Sequence, residues 1–505
     1  MPPSARVHPL SELVAGFAAA APDVAVRDLT LDSRQVREGS LFLACRGTQQ
    51  HGLAFLPQAL QNGAAAVLWE PAPGVAPPAA GVPAVAVDKL AAHAGEIAAR
   101  FFGQPSRRLH CIGVTGTDGK TSTSFVLAQA LESLGAPCVY IGTLGSGRFG
   151  AIQPGDQTTP DPVNLQRALH AAVQDGAQAM AMEVSSHALD QARVAGVRFH
   201  TGVLTNVGRD HLDYHGTLER YAAAKKKLFT EAGVQACVIN RDDATGAAWA
   251  RELAGRDARL TVYGLDGDAP AGPHVLGRKV ELRPTGIAFE ATTHAGTVRI
   301  DSRLLGRFNA YNLLAALGAL LEKGVPLAQA GAALSQVQTV PGRIEGFRGP
   351  GARPLVVVDY AHTPQALAQV LQAVRAHCGA MLWCVFGCGG DRDRGKRPLM
   401  AAAAAQFADR VIVTDDNPRN EDPAAIVREI QAGFPAGFAA SVIHDRASAI
   451  ERAVSEAGAG DVVVVAGKGH EDYQIYGHDR RAFSDRDFVA ARVGHSPLLT
   501  PHSAL

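Results

Sequence analysis

The stretch Gly113-Val-Thr-Gly-Thr-Asp-Gly-Lys-Thr-Ser122 marks the point where an apolar run stops and a glycine-rich turn begins. The preceding residues 109–114 are mostly apolar and predict a short buried strand. After the turn, Leu127, Leu131 and Leu134 recur at the spacing of one helix face. Strand, glycine-rich loop, Lys-Thr pair and helix are together the arrangement of a phosphate-binding loop.

The residue types of this loop suit the phosphate chain of a nucleotide. Gly116 and Gly119 let backbone N–H groups approach phosphate oxygens, and Lys120 supplies positive charge near the β- and γ-phosphates. The Thr121 hydroxyl can bind Mg²⁺ at the positive end of the helix. The strict P-loop spacing fails, because Val114 stands where the first glycine would be. An ordinary strand-to-helix turn therefore remains the alternative.

Length and charge limit the class of protein. A chain of 505 residues predicts roughly three domains, because single hydrophobic cores stop growing near about 250–300 residues. The 48 basic and 48 acidic residues cancel, so no overall field attracts nucleic acid or an anionic membrane. We therefore expect anionic ligands to be held by local sites.

Cysteine usage and hydropathy indicate the compartment. The seven cysteines are scattered without a C-x-x-C pair, which predicts reduced thiols. The first residues lack the apolar core of a signal peptide, and no run of about 18 apolar residues occurs. We expect a soluble, cytoplasmic protein that is not inserted in a membrane.

Residues 1–108 alternate short strands and helices, which predicts a small α/β domain. The first helix is expected over residues 10–20. Two β-like runs then end in polar loops, one carrying Ser33 and the other carrying residues 48–50. The uncharged side chains of these loops can bind a ligand or simply form turns.

Residues 109–340 contain the phosphate loop and further strands that end in polar residues. The strand 179–182 runs into Glu183-Val-Ser-Ser-His187, at the position where α/β sheets place ligand chemistry. Glu183 is a natural Mg²⁺ ligand. A helix cap formed by Ser185 or Ser186 is the alternative, but it explains only the serines and not the acid and imidazole together. His211 lies among carboxylates and is a candidate metal ligand, although a single histidine is usually structural.

The helix predicted over residues 221–229 carries three consecutive lysines. Successive helical residues point about 100° apart, so one of the three should face the interior. Residues 237–240 are expected to form the last strand of this sheet, and residues 260–305 an antiparallel β segment. A helix start with Asn309 and Asn312 follows.

Residues 341–505 contain four β-branched runs that are separated by helix-length segments. This pattern predicts a doubly wound, Rossmann-like parallel sheet with its loops along one edge. Residues 387–392 lack the G-x-G-x-x-G spacing of a dinucleotide site. The mixed acids and bases of that edge favour a small ligand with both carboxylate and ammonium groups. They are Asp359, His362, Asp391, Arg392, Asp416, Arg419, Lys468 and Glu471.

Seven motifs in this order resemble the Mur ligases, ATP-dependent amide-bond-forming enzymes of peptidoglycan precursor synthesis and hence of cell-wall biogenesis, cell shape and cell division. The resemblance covers nearly the whole chain. The motifs are T-G-T-x-G-K-T-S at 115–122, E-V-S-S-H at 183–187, N-x-x-x-D-H-L-D at 206–213, A-K-x-x-L-F at 224–229, F-N-x-x-N at 308–312, G-R-x-E at 342–345 and D-Y-A-H-T-P at 359–364.

The resemblance implies three domains: a UDP-sugar-binding domain at 1–108, a central P-loop-type ATPase domain at 109–340 and an amino-acid-binding domain at 341–505. It implies that the carboxylate of a muramoyl dipeptide is activated by ATP as an acyl phosphate, which an amine then attacks. The loop Asp416-Asn-Pro-Arg419 is similar to that of the members that add meso-diaminopimelate to UDP-N-acetylmuramoyl-L-alanyl-D-glutamate. A guanidinium can hold the additional carboxylate of this amino acid.

The resemblance also implies roles for individual residues. The nucleotide would contact Gly116, Thr117, Asp118, Gly119, Lys120, Thr121, Ser122, Asn309, Arg343 and Asp359. Catalysis would involve Lys120, Glu183, His211 and Lys225, and Mg²⁺ would bind Thr121, Glu183, His211 and Lys225, the last as a carbamate.

The remaining implied contacts belong to the other two substrates. The UDP-muramoyl dipeptide would contact Leu31, Ser33, Thr48, Gln49, Gln50, Gln157, Thr158, Thr159, Ser185, Gln191 and Arg193. Diaminopimelate would contact Arg392, Asp416, Asn417, Pro418, Arg419, Gly467 and Glu471.

Two residues depart from the family pattern, and three other functions stay open. Asp118 stands where the family usually has Asn, and Gln157 stands where some members have Asn. The alternatives are a lysine-adding Mur ligase, a folylpolyglutamate synthetase and a nucleotide-binding regulator with a P-loop. We expect small-molecule substrates and a monomer.

Overall fold

The computed structural model describes residues 7–47, 50–155, 157–349, 351 and 353–494. The chain forms two compact units, which are described separately. Unit 1 comprises residues 1–264, 270–274 and 318–325. Unit 2 comprises residues 265–269, 275–317 and 326–505.

Unit 1 begins with a parallel four-stranded sheet in the order β3-β4-β5-β6 and a separate antiparallel pair, β1-β2. Leu41 and Leu68 are buried on one face of the sheet, against Ile97 of α3. The elements are β1 (His8–Pro9), α1 (Leu10–Leu13), β2 (Ala25–Val26), β3 (Asp28–Thr30), β4 (Ser40–Ala44), α2 (Leu56–Gln61), β5 (Ala64–Trp69), β6 (Ala84–Ala86) and α3 (Leu90–Phe101). Three short 3₁₀ helices cover Ser33–Gln35, Gly52–Phe55 and Pro105–Arg108.

The second sheet region of unit 1 has the order β13-β12-β11-β7-β10-β8-β9 and is parallel except for β9. The elements are β7 (His110–Thr115), α4 (Lys120–Ser133), β8 (Cys138–Gly142), β9 (Gly145–Arg148), α5 (Pro162–Gln174), β10 (Ala179–Glu183), α6 (Ser186–Asp190), β11 (Thr201–Leu204), α7 (Leu212–His215), α8 (Leu218–Thr230), β12 (Ala236–Asn240), α9 (Ala244–Leu253) and β13 (Arg259–Leu265). The carboxyl ends of β7, β10 and β11 therefore lie at one edge.

Three antiparallel strands in the order β14-β15-β16 follow, with two helices after them. The elements are β14 (His274–Arg283), β15 (Gly286–Thr293), β16 (Gly296–Ser302), α10 (Phe308–Glu322) and α11 (Leu327–Gln336). Gly331 of α11 lies against Val298 of β16, where an added Cβ would approach a Val298 methyl to 2.4 Å.

The last sheet lies in unit 2, in the order β17-β18-β22-β19-β20-β21, and is parallel apart from β17. Residues from α12, α13 and α14 pack on one face, and residues from α15 and α16 on the other. The elements are β17 (Glu345–Phe347), β18 (Leu355–Asp359), α12 (Pro364–Arg375), β19 (Leu382–Phe386), α13 (Lys396–Phe407), β20 (Arg410–Val413), α14 (Pro423–Gln431), β21 (Ala440–Val442), α15 (Arg446–Glu456), β22 (Val462–Ala466), β23 (Tyr473–Tyr476), β24 (Asp479–Ala482) and α16 (Asp485–Val493). This is the predicted doubly wound arrangement.

Two details of the predicted secondary structure were wrong. The first helix ends at Leu13 instead of continuing to residue 20, since Gly16 adopts a φ of 81° that interrupts the helix. Strand β12 does not end its sheet, because α9 returns the chain and β13 pairs with β12 in parallel. The antiparallel segment expected over residues 260–305 is confirmed from residue 274 onward by β14, β15 and β16, whereas its first residues belong to the parallel strand β13.

The state of the cysteines agrees with the sequence analysis. All seven are free thiols, and five of them are buried. Among the helices of the described residues, none has the length and apolar character needed to cross a lipid bilayer.

A buried ion pair joins two strand ends of the last sheet. Arg446 and Asp485 are both fully buried and form two hydrogen bonds of 2.7 Å. The guanidinium also donates to the backbone oxygens of Asp415 and Ala466, at 3.3 and 3.1 Å. Residues that follow β20 and end β22 are therefore held by one side chain.

We expect Asp485→Ala to lower the free energy of unfolding by about 3–5 kcal/mol, because it leaves a buried guanidinium without its counter-charge. Denaturant unfolding followed by circular dichroism measures the change. Asp479→Ala, at an exposed carboxylate 3.9 Å from Arg481, is the control and should change stability little. Equal midpoints for the two variants would contradict the prediction.

Candidate active site

The glycine-rich loop connects β7 to α4 at the carboxyl edge of its sheet. Gly116 has a φ of 152°, and an added Cβ there would lie 1.8 Å from the Thr205 hydroxyl. Gly119 has a φ of 80° and precedes the first helical residue, Lys120. Both glycines are thus required by the backbone path, and the loop ends at the amino terminus of a 14-residue helix.

The segment after β11 holds this loop in place. The Thr117 N–H donates to the Asn206 carbonyl at 2.9 Å, and the Asp118 N–H donates to the Asn206 side chain at 3.0 Å. The Asp118 carbonyl accepts hydrogen bonds from Thr205 and Asn206, at 2.6 and 3.1 Å. The side chain of Asp118 is exposed, so the departure from the family pattern adds no buried charge.

Two lysines from different helices meet at one carbonyl of this loop. The Gly116 oxygen accepts from Lys120 Nζ at 2.9 Å and from Lys225 Nζ at 2.6 Å, and Lys120 also donates to the Thr117 oxygen at 2.8 Å. Burial, with a further contribution from the Lys120 charge, lowers the pKa of Lys225 to about 7. The prediction that one of the three consecutive lysines faces inward is confirmed: Lys225 is 1% exposed.

Glu183 is the centre of a hydrogen-bond network at the end of β10. Its Oε1 accepts from the Tyr140 hydroxyl and from the Thr143 N–H, both at 2.7 Å. Its Oε2 accepts from the hydroxyls of Thr121 and Thr143, at 2.9 and 3.2 Å. The carboxylate is fully buried, and these four donors offset the cost of burying its charge.

His211 lies in a cluster of aromatic rings beside the two lysines. Its ring centroid is 4.7 Å from that of His187 and 6.3 Å from that of Tyr221. Tyr221 in turn contacts Lys225, whose Nζ lies 4.3 Å from the ring centroid, and its hydroxyl lies 3.1 Å from Thr117 Oγ1. Within the described residues, no three His, Cys, Asp or Glu side chains form a group that could hold a metal ion.

The residues expected to contact the muramoyl dipeptide form one connected group. Arg193 donates to Gln157 at 2.9 Å, to the Thr159 carbonyl at 3.0 Å, and through two nitrogens to Gln191. The Thr159 hydroxyl donates to the Glu183 carbonyl at 2.8 Å, and the Ser185 N–H donates to that hydroxyl at 3.2 Å. The structure therefore connects this group directly to the Glu183 network.

Two other predicted contacts of the muramoyl dipeptide, Thr158 and Ser185, contribute side-chain hydroxyls. The Thr158 hydroxyl lies 3.2 Å from that of Thr143. The Ser185 side chain caps α6 by accepting from the Ala188 N–H at 3.1 Å, so the capping alternative is confirmed for this residue. Capping occupies one lone pair of the hydroxyl, which can still donate.

Two of the residues expected to contact the UDP moiety, Leu31 and Ser33, lie at or just before the 3₁₀ helix Ser33–Gln35. Ser33 is buried and donates to Gln58 at 2.7 Å, Leu31 is partly exposed, and Gln50 is exposed. Thr48 and Gln49 lie outside the described residues. Arg167 of α5 donates to the Asp28 side chain and to the Leu29 carbonyl, both at 2.9 Å.

Three candidate nucleotide-binding residues belong to unit 2. Asn309 is buried, donates to the Leu305 carbonyl at 2.7 Å and accepts from Asn312 at 2.8 Å. Asp359 accepts from the N–H groups of Ile344 and Ala361, both at 2.7 Å, and burial raises its pKa. Arg343 is exposed, with its guanidinium 5.3 Å from the ring centroid of Tyr360.

The candidate amino-acid site combines loops that follow β20 and β22. Asn417 donates to Glu471 at 3.0 Å, and the fully buried Lys468 donates to the same carboxylate oxygen at 2.9 Å. Gly467 has a φ of 120°, and an added Cβ there would lie 2.7 Å from an Asp416 carboxylate oxygen. The structure thus brings together four of the predicted contacts.

Arg419 lies beside a third loop, which follows β19. Its Nη1 donates to the Gly390 carbonyl at 2.8 Å and lies 2.8 Å from where a Cβ on Gly389 would stand. A Cβ on Gly390 would approach the Pro418 carbonyl oxygen to 1.8 Å, so these two loops pack backbone against backbone. Arg392, on the same loop as Gly390, has an exposed side chain.

Sequence reasoning missed the side chain that joins these loops. Arg397 is fully buried, donates to the Gly389 carbonyl at 3.2 Å and forms a bidentate pair with Glu421. Glu421 also accepts from the Asp391 N–H at 2.6 Å. The motif analysis treated charged residues as ligand contacts, and no sequence signal separates a buried structural arginine from a binding one.

Three family models match successive segments of the chain. The model described as the Mur ligase family catalytic domain matches residues 26–102. The Mur ligase middle domain matches residues 114–320, and the Mur ligase glutamate ligase domain matches residues 342–469. These three matches and the sheets described above confirm the predicted α/β, three-domain class.

Relatives align with this chain over nearly its whole length. The UDP-N-acetylmuramoyl-L-alanyl-D-glutamate–2,6-diaminopimelate ligase of Alkalilimnicola ehrlichii is 52% identical over 482 residues, 94% of this chain and 96% of that protein. The ligase of the same name from Pseudomonas aeruginosa is 50% identical over 487 residues, 95% and 98% of the two chains. A solved structure of a ligase with this name is 37% identical and has a TM-score of 0.79, covering 97% of this chain and 99% of that one. The three family models match in order along the chain, and about half of the residues are identical to those of relatives aligned over nearly the full length. The chain therefore belongs to the Mur ligase family of ATP-dependent amide-bond-forming enzymes.

Proposed function

We propose that this chain adds meso-diaminopimelate to the D-glutamate carboxylate of UDP-N-acetylmuramoyl-L-alanyl-D-glutamate, with ATP cleaved to ADP and inorganic phosphate. The names of the relatives support this activity. The observation that carries the choice of amino acid is the loop Asp416-Asn-Pro-Arg419, which lies against Glu471 and Gly390. A second carboxylate and a distal ammonium are the groups that these side chains suit.

The phosphate loop supports the first chemical step. The dipeptide carboxylate attacks the γ-phosphate of ATP, so anionic groups must approach one another and cations must offset their repulsion. Lys120 is held at the amino terminus of α4, where loop N–H groups and the helix dipole also favour phosphate. In the present structure its ammonium donates to two loop carbonyls, bonds that phosphate oxygens would replace.

The oxygens of Thr121 and Glu183 suit Mg²⁺. They are hard ligands, and they lie 2.9 Å apart at the loop. We propose that both hold Mg²⁺ with the phosphates, where the metal would neutralise developing charge. His211 and Lys225 are proposed for a second Mg²⁺. The unmodified Lys225 amine suits this role poorly, whereas a lysine carbamate presents carboxylate-like oxygens.

The structure favours a reactive Lys225. Carbamate formation requires the neutral amine, and a pKa of about 7 makes that form abundant near neutral pH. The Lys120 charge disfavours the protonated amine of Lys225, whereas it would attract the negative charge of a carbamate. We therefore propose that Lys225 is carbamylated.

In the second step the amine of diaminopimelate attacks the carbonyl carbon of the acyl phosphate, and inorganic phosphate leaves as the amide bond forms. Glu471 is the proposed acceptor for the distal ammonium, and Arg419 and Arg392 are proposed for the distal carboxylate. Lys468 holds Glu471 from the interior side, so that this carboxylate keeps a fixed position. Asp416 and Gly467 are proposed to contact the amino acid at the same edge.

The domain roles and the setting are also proposals. Residues 1–108 would bind the UDP-sugar, residues 109–340 would bind ATP, and residues 341–505 would bind the amino acid. Asn309, Arg343 and Asp359 would contact the nucleotide. Since ATP and a nucleotide-linked sugar are the substrates, we propose a cytoplasmic enzyme that acts as a monomer on small molecules.

A substrate-omission assay tests the function. We expect ADP to form only when ATP, Mg²⁺, UDP-muramoyl dipeptide and meso-diaminopimelate are all present, with the muramoyl tripeptide identified by mass spectrometry. ADP release without the amino acid would favour a nucleotide-binding regulator. Equal kcat/KM with lysine would favour a lysine-adding ligase.

A further inference from the structure

The strands β23 and β24 form a hairpin that is a two-stranded sheet of its own. A hairpin of this size is only marginally stable by itself, so its position depends on what it packs against. One edge of it lies along residues 415–419, the loop that carries the proposed contacts to diaminopimelate.

Backbone hydrogen bonds join the hairpin to Arg419. The Arg419 N–H donates to the Ile475 carbonyl at 3.0 Å, and the Gly477 N–H donates to the Arg419 carbonyl at 2.6 Å. Arg419 has a φ of 52°, a left-handed conformation that is uncommon for residues other than glycine. The two bonds hold Arg419 in this conformation and thereby set where its side chain begins.

Two side chains of the hairpin form hydrogen bonds with Asp415 and Asp416, which precede Arg419 in the chain. The Tyr476 hydroxyl donates to Asp415 Oδ2 at 3.1 Å, and the Gln474 amide donates to the backbone oxygens of Asp415 and Asp416, at 3.3 and 3.0 Å. The other oxygen of the buried Asp415 carboxylate lies 2.9 Å from His444 Nδ1. Burial, aided by the Asp415 charge, raises the pKa of Tyr476 to about 12, so its hydroxyl remains a donor at neutral pH.

We infer that Tyr476 and Gln474 are positioning residues that set the preference for a diacid amino acid by fixing the Arg419 backbone. The inference rests on the proposed function. Neither side chain needs to touch the substrate. From the fixed backbone, the Arg419 guanidinium reaches the Gly390 carbonyl, and a small shift of the hairpin moves the guanidinium relative to the loop after β19.

Steady-state kinetics of Tyr476→Phe test the inference. We expect the KM for meso-diaminopimelate to rise roughly tenfold, the effect of losing one hydrogen bond to a charged group. The kcat and the KM values for ATP and the UDP-muramoyl dipeptide should stay unchanged. The ratio of kcat/KM for diaminopimelate to that for lysine should fall by a similar factor.

Two further variants make the test specific. Tyr473→Phe removes a hydroxyl from the same hairpin and should leave the kinetics and the amino-acid preference unchanged. Gln474→Met removes the second attachment while keeping side-chain length, and should repeat the effect of Tyr476→Phe, so the test does not depend on one variant folding.

The outcomes separate the inference from the proposed function. If the unmodified enzyme adds diaminopimelate but both attachment variants retain its amino-acid preference, the inference is wrong. A fall in kcat with an unchanged preference would also overturn it, because this is the result of general destabilisation. If the unmodified enzyme does not add diaminopimelate, the proposed function itself has failed.

Discussion

Replacing Lys225 with alanine is expected to lower kcat by about 10³-fold while ATP affinity is largely retained. The buried amine lies at the Gly116 carbonyl beside Lys120, where the proposed carbamate would act during acyl-phosphate formation. Loss of one preorganised electrostatic contact in an active site typically costs about 10²–10³ in rate. Turnover assays and calorimetric titration of ATP measure the two effects separately.

The adjacent lysine provides the matched control for this substitution. Lys226 lies on the same helix as Lys225 and pairs with Glu252 of α9 near the surface. Lys226→Ala should therefore retain normal turnover. Undiminished activity of Lys225→Ala would refute its assigned role, whereas equal losses in both variants would point to damage to the helix.

The pKa of Lys225 predicts a pH dependence of carbamylation. With a pKa of about 7, roughly three quarters of this amine is neutral at about pH 7.5, against about 0.1% for an ordinary lysine. The ¹³C-carbamate signal in enzyme supplied with ¹³C-bicarbonate should therefore decrease as the pH falls below 7 and be absent in Lys225→Ala. A signal that persists in the alanine variant would contradict the assignment.

The same shift affects stability with a definite sign. Because the folded-state pKa of Lys225 lies below its unfolded value of about 10.4, the unfolded chain binds more protons between these values. The contribution of Lys225 to the free energy of unfolding therefore increases with pH from about 7 to about 10.4. Below pH 7 the amine is protonated in both states, and its burial is unfavourable.

Replacing Arg419 with alanine is expected to lower kcat/KM for meso-diaminopimelate by at least about 30-fold. Truncating one partner of a hydrogen-bonded charge pair in a binding site costs about 2–5 kcal/mol, and a guanidinium can hold a carboxylate through two hydrogen bonds. Most of the loss should appear in KM, since the distal carboxylate is remote from the reacting amine. Steady-state kinetics with diaminopimelate and with lysine measure this effect.

Two companion variants define the origin of the effect. Arg419→Lys keeps the positive charge but cannot form the two parallel hydrogen bonds of a guanidinium. It should therefore retain more activity than Arg419→Ala but less than the unmodified enzyme. Arg428→Ala, at an exposed arginine of the same domain, should be neutral. Unchanged use of diaminopimelate by Arg419→Ala would remove the basis for the proposed selectivity.

Local sequence patterns determined much of this protein. The glycine-rich loop, the four β-branched runs of the last domain and the inward-facing lysine all follow from short-range rules, because glycine conformation, strand burial and helical periodicity are properties of neighbouring residues. The position of Glu183 at the end of a buried strand follows from the same rules, whereas the choice of Lys225 and Arg419 rested on the resemblance to the Mur ligases. The early end of the first helix and the parallel pairing of β13 were missed, since a short helix and a single strand carry weak periodic signals.

Only the tertiary structure showed which charged side chains hold the protein's own loops in place and which remain available to bind a ligand. No sequence motif drew attention to Arg397 or Arg446, yet both are fully buried and bind carboxylates and carbonyls of the protein itself. The lowered pKa of Lys225 comes mainly from burial and then from the charge of Lys120, a lysine about a hundred residues away that reaches the same carbonyl. Desolvation and charge proximity arise only when distant segments pack together, and no pattern of neighbouring residues encodes them.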